Sequence, residues 1–268
     1  VVNADCAFDY NSTAAQTIGG IIQGAGTLTK DNTSTLVLSA SNTIEGVITV
    51  DGGILKLGNN AGLGSTNANT IVNDGGALDL QGFAPTPGEK ININGVGSDG
   101  VGTRGALYST ANDGVLGAES TLILNSNVEV GGGGGRINNF GGIFDALNSF
   151  TVTKYGAEHW YQFGGNVNIG SLVVTPNAWW GQYLPKSPRT VTFQAGSQHH
   201  TWSSPNFGTL TMTLEDGVQF HNDWEPGYVG TAVYGGNITL NGTAKFYSIR
   251  PEQTVRINAV INGTGSIE

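Results

Sequence analysis

The sequence predicts an all-β fold, a right-handed parallel β-solenoid of about twelve coils. Three observations lead there. Short strands alternate apolar and polar residues, so each strand turns one face in and one face out. Glycine and asparagine break the strands at close intervals and supply the positive φ angles of tight turns. The units also recur at a nearly constant spacing, and a unit of ~20–26 residues with short strands buries its apolar face only by stacking on a copy of itself.

The repeats can be read in order. "VDGGILKLG" from Val50 and "NDGGALDLQG" from Asn73 share D-G-G-x-L-x-L, one coil length apart. "ILNSNVEV" from Ile123 has the same plan of strand, polar turn and strand. Later, "TFQAGSQH" from Thr192, "TLEDGVQF" from Thr213 and "TLNGTAKF" from Thr239 align without gaps, again at coil-length offsets. This places Leu55, Leu57, Leu78, Leu80, Leu214, Phe220, Leu240 and Phe246 in inward ladders. At the ~4.8 Å spacing of parallel strands the rod is roughly 55–60 Å long. A β-sandwich also has many short strands, but it gives antiparallel hairpins with no fixed offset.

Composition narrows the function classes. The chain has 268 residues, of which 43 are glycine and 12% are charged. Glycine without a three-residue period is not collagen, and a 38% hydrophobic share rich in β-branched residues is not that of a disordered chain. The net charge of −9 and the scattered 11 basic residues argue against nucleic acid as a partner. No apolar run approaches the length of a membrane span, so no membrane insertion of this segment is expected. The single cysteine, Cys6, rules out an intrachain disulfide and a CxxC metal site.

"IIQGAGTLTKDNTSTLVLSASNTIEGVITVDGGILKLGNNAGLGS", Ile21 to Ser65, resembles the passenger-associated transport repeat of autotransporter passengers. That pattern is G-x-G-x-L-x-K, then L-x-L-x-x-x-N-T, then T-x-V-x-x-G-x-L-x-L-G. Gly24, Gly26, Leu28 and Lys30 match the first part. Leu36, Leu38, Asn42 and Thr43 match the second, and Thr49, Val50, Gly53, Leu55, Leu57 and Gly58 the third. The match loosens toward Gly142. The resemblance implies a β-helical rod, extracellular or at the cell surface of a Gram-negative bacterium, with a structural or adhesive role. Near the end, "INGTGSIE" aligns with "IQGAGTLT" from Ile22 and is expected to open another copy. Two readings follow: a segment of a longer rod, or a subunit that self-associates end to end into a filament.

Residue distribution divides the rod. Residues 1–153 form a glycine-rich solenoid with passenger-type repeats and no tryptophan. Residues 154–235 form aromatic-rich coils, the candidate binding surface. Residues 236–268 are solenoid coils ending at the start of another repeat. Trp160, Trp180, Trp202 and Trp224 follow one another at intervals close to one coil, so one tryptophan per coil is expected to stack along the rod. Trp179, the extra member of "NAWWGQY", points to the opposite side of its strand. A tryptophan ladder turned inward is a widened aromatic core. Turned outward it is an apolar strip, with Tyr183 and Tyr228 beside it, on which the C–H faces of a polysaccharide or cell-surface glycan can stack. Glu158, Gln162, Gln182, Asn222, Asp223 and Glu225 are the nearby groups for sugar hydroxyls.

Other chemistry fits less of the pattern. His200 and His221 fall at equivalent places on neighbouring coils and, with Asp223 or Glu158, are metal-ligand types. A polar ladder on a solvated face explains them as well, and no metal or cofactor is assigned. Glu158 with His159, Glu215 with Asp216, and Asp223 with Glu225 are carboxylate sites of the kind that polysaccharide lyases and hydrolases use. "EDG" from Glu215, however, sits where other copies carry turn residues. No catalytic residue is assigned and an enzyme is not expected.

Overall fold

A computed structural model describes all residues except 4, 101–103, 165, 186–188, 202–204, 209, 223–229 and 249–251. The described residues contain strands and no helix, and every strand pairing among them is parallel. The strands stack as a β-solenoid of about 11 turns, one fewer than the sequence suggests. The shortfall comes from unequal coils. Leu78 pairs with Leu107 across a long coil, whereas Trp180 pairs with His199 across a much shorter one. At ~4.8 Å per coil the stack is ~53 Å long.

Each coil touches up to three faces. A 19-stranded sheet runs round two of them, and an 8-stranded sheet forms the third from Gly114–Leu116 to Ser266–Ile267. Before Gly114 the described residues hold no third sheet of that extent, only the two-stranded pair Gln23–Gly24 with Thr43–Ile44. Long strands carry the chain round the corner between the first two faces. In Thr121–Gly131, Thr121 to Leu124 pair with Gly142–Asp145, while Val128 to Gly131 pair with residues of Thr151–Tyr155. The strand Thr151–Tyr155 runs unbroken across residue 153.

The expected ladders form. Leu36, Leu55, Leu78 and Leu107 lie in one register column and are fully buried. Leu38 pairs with Leu57, and Phe193, Leu214 and Leu240 form a further column. Phe220 is buried against Phe246, which is itself half-buried. The backbone enforces this register through the turns. Gly53 adopts φ +64°, and a Cβ there would lie 2.3 Å from the carbonyl oxygen of Ser34 on the coil before. At Gly76, its register partner, the φ is ordinary, but a Cβ would lie 2.3 Å from the Val50 oxygen. The D-G-G motif therefore marks a place where coils approach too closely for any side chain.

Two polar residues of the repeat at Ile21 to Ser65 act as clasps. Asn42 is buried; its Oδ1 accepts from the Ile22 backbone N–H at 2.9 Å and its Nδ2 donates to the Gly62 oxygen at 2.8 Å, joining three successive coils. Lys30 is also buried, and its ammonium donates to the carbonyls of Asp31 (2.7 Å), Asn32 (2.8 Å) and Gly52 (2.9 Å). Three donors meet three acceptors, so the charge is solvated by turn oxygens rather than water. Burial still lowers the Lys30 pKa, against the nearby Asp31 charge that raises it.

Candidate functional site

The tryptophan region builds the third face. Alternation along its strands separates two columns. The inward column is Ile137, Trp160, Trp180, His199, Phe220 and Phe246, each in register with the next. Trp160 and Trp180 are 0% exposed and stack at 5.8 Å with planes 9° apart. Of the two orientations open from sequence, these two tryptophans take the inward one, so neither belongs to a surface strip. The Trp160 Nε1–H donates to Gln162 Oε1 and the Trp180 Nε1–H to the Tyr183 carbonyl, which satisfies both indoles inside.

The place in register with Trp180 is held by His199, and the following place by Phe220. Spacing near one coil length is necessary for stacking, but it does not fix register where successive coils differ in length. The side chains of Trp202, Trp224 and Tyr228 lie outside the described residues.

His199 replaces an indole by an imidazole in a dry site. It is completely buried, with Nδ1 at 2.9 Å from the Trp180 carbonyl and its ring edge-on to Phe207, Phe220 and Tyr234. Burial pushes its pKa down to about 3, so the ring is neutral. A neutral imidazole bonded through Nδ1 to a carbonyl must carry its proton there.

The outward column holds the feature that sequence reading only partly finds. His159, Trp179, His200, His221 and Tyr247 form one continuous stack of rings. Successive centroids are 4.1, 4.4, 4.3 and 4.8 Å apart, with interplanar angles of 13°, 7°, 1° and 23°. Trp179 can lean between His159 and His200 because its coil offers Gly181 opposite His200, where a side chain would otherwise stand. A second ladder runs alongside: Gln198 Oε1 meets His200 Nε2 at 3.1 Å and Gln219 Oε1 meets His221 Nε2 at 3.1 Å. His200 is only 5% exposed, and burial followed by the neighbouring histidines pushes its pKa down to about 2. His159 is also lowered, chiefly by burial. Alignment does pair His200 with His221; what it misses is that His159, Trp179 and Tyr247 belong to the same stack.

The polar groups assigned to sugar hydroxyls that lie among the described residues are engaged within the fold. Gln162 is buried, accepting from Asn139 Nδ2 and donating to the carbonyls of Gly141 and Gly164. Asn222 is buried too, accepting from Thr201 and donating to the Thr254 oxygen. Gln182 is buried in a positive-φ turn. Glu158 lies 3.9 Å from the buried Lys154 ammonium, whose pKa burial lowers to about 8. Glu215 accepts from the Ala195 N–H and Asp216 from the Thr243 N–H, each joining turns on adjacent coils, as the turn reading of "EDG" requires. Asp223 and Glu225 fall outside the described residues. Of the expected ligand-binding residues, Trp179 is half-buried and Tyr183 is 37% exposed. Among the described residues no group of three or more His, Cys, Asp or Glu is placed to hold a metal, and no helix is long and apolar enough to cross a membrane.

The class this geometry defines is a β-solenoid rod with an aromatic third face. Over 68 residues, 25% of the chain, the sequence is 37% identical to the adhesin BmaC autotransporter of Brucella suis biovar 1 (strain 1330). The match spans 2% of that relative's length. No family model matches the chain and no solved structure matches it significantly. The parallel stack and the local similarity are together consistent with an autotransporter-passenger-like segment, and a surface rod or adhesive segment fits both.

Proposed function

We propose that this chain is a non-catalytic segment of an adhesive rod, displayed outside a Gram-negative cell. The observation that carries the reading is the parallel stack of the described strands, combined with local similarity to a protein named as an adhesin. A solenoid of this kind presents long lateral faces at fixed spacing, which suits attachment. Among the carboxylates weighed for catalysis, Glu215 and Asp216 accept from turn N–H groups and Glu158 sits beside a buried lysine, which favours a structural part for them.

The outward ring stack contributes rigidity to that rod. Its members cover one another's faces at van der Waals separation, so their edges rather than their faces point away from the axis. A sugar ring needs an open aromatic face, and a glycan contact is therefore better sought off the stack. The adhesive reading is tested with beads coated with the chain, counted on mucin-coated and albumin-coated surfaces under flow. Retention on mucin above albumin supports it; equal retention overturns it.

A further inference from the structure

On the first face, beside the aromatic coils, lies a groove that neither the tryptophan pattern nor the turn motifs explain. It has a volume of about 540 Å³ and is lined by Ser120, Thr121, Gly142, Phe144, Asn166 and Asn168, with Ala118 and Ile143. That volume falls in the ~300–1,000 Å³ range of small-molecule sites. Three coils build it. Thr121 stands in register with Gly142, and Phe144 with Asn168. Gly142 has no side chain to fill the space between Thr121 and the Asn166 coil, and this makes the floor. Phe144, on the same strand, points outward and is 45% exposed.

We propose that this groove is a subsite for a neutral glycan, one or two sugar units long. The proposal rests on the adhesive reading above and gives it a ligand class and a place. Three features select the ligand. Among the described residues no charged side chain lines the groove, which disfavours phosphates and uronates. Phe144 is not part of the mutual ring stack, so it offers the aromatic surface that the stack withholds. The hydroxyl of Thr121 and the amides of Asn166 and Asn168 surround it as hydrogen-bonding groups. Asn168 Oδ1 already accepts from Arg189 Nη2 at 3.3 Å, which leaves its Nδ2 as the group to offer a donor. A peptide adding as a strand is disfavoured, because Gly142–Asp145 is paired on both sides and presents no open edge.

The test is titration of the ¹⁵N-labelled chain with cellotetraose, xylotetraose and tetra-N-acetylchitotetraose, with a heparin tetrasaccharide as the anionic probe. The expected result is saturable shifts of the Gly142 and Phe144 amides with at least one neutral probe. Phe144→Ala should weaken that binding ~2–10-fold, the loss of one aromatic contact, and Thr121→Val should also weaken it. Both variants change partly exposed side chains, and unchanged melting confirms their folding. Trp179→Ala should bind like the wild type. The proposal is overturned if no neutral probe shifts these amides, if Phe144→Ala binds equally well, or if the heparin fragment is preferred. Bead retention separates the two readings. Wild type and Phe144→Ala retained alike on mucin leaves adhesion standing and removes the groove. Saccharide binding without retention removes adhesion alone.

Discussion

The coils before Gly114 and those from Tyr155 to Tyr247 share one backbone plan and fill it differently. The earlier coils pack Leu, Ile and Val, as in the column Leu36, Leu55, Leu78 and Leu107. The later coils pack Trp160, Trp180, His199 and Phe220, with Phe193, Phe207 and Tyr234 closing in from the other faces. The change accompanies the third sheet. An added strand on each coil widens the interior, and longer side chains are needed to fill it to protein density. Register survives the exchange because parallel pairing is set by backbone hydrogen bonds and turn glycines, while the column needs only a consistent inward volume.

The sharpest way to break this comparison is truncation in each region. Trp180→Ala should destabilise the protein by ~3–5 kcal/mol and Leu78→Ala by ~2–5 kcal/mol, measured by denaturant unfolding. An unchanged midpoint for Trp180→Ala would refute the aromatic core. Comparable in size is the clasp: Asn42→Ala leaves the Ile22 N–H and Gly62 carbonyl without their side-chain partners, at about 1–3 kcal/mol for each group left unsatisfied. Its protection factors in hydrogen exchange should fall at Ile22 and leave the later coils unaffected.

The two regions should also answer pH in opposite senses. His199 and His200 have folded pKa values of about 3 and about 2, below the ordinary 6.5. Below pH ~6.5 the unfolded chain binds protons that the folded one refuses, so the stability they confer is whole above ~6.5 and falls as the pH drops toward 3. Glu89, buried in an earlier coil with Thr70 donating to its Oε1, is pushed up to about 7. Its stability is whole below ~4.5 and is lost as the pH rises through 7. Exchange protection corrected for intrinsic rates should therefore drop in the aromatic coils at pH 4.5 and around Glu89 at pH 8.5. A uniform response would reject the assignment. The smallest effect is expected for Trp179→Ala, ~0.5–1.5 kcal/mol beyond its lost burial, because that ring stacks at the surface on His159 and His200.

Much of this fold was legible in the sequence, because the signals were local and redundant. D-G-G-x-L-x-L reports both a tight approach and an inward pair of leucines. Thr192, Thr213 and Thr239 do fall in one register column. Tryptophan spacing is a weaker guide: Trp160 and Trp180 do stack, but the next place in their column belongs to His199, because register depends on counting through every turn. Extending the gap-free alignment backward from "TFQAGSQH" to "VVTPNAWW" sets Trp180 against His199, the pairing that the structure has. The groove at Gly142 was not legible. It joins residues from three coils, from Ser120 to Asn168, none of which carries a motif.

The Asn42 clasp and the third sheet have a mechanical consequence. In a stack where each coil touches only its neighbours, tension applied along the axis loads the interfaces in series, and the weakest one yields first. Coils with strands on three faces share that load among more hydrogen bonds than the coils near the N-terminus, where the third face is a single short pair among the described residues. A pulled rod should extend stepwise from that end, with Asn42 setting the height of an early force peak and the aromatic coils holding their shape until last.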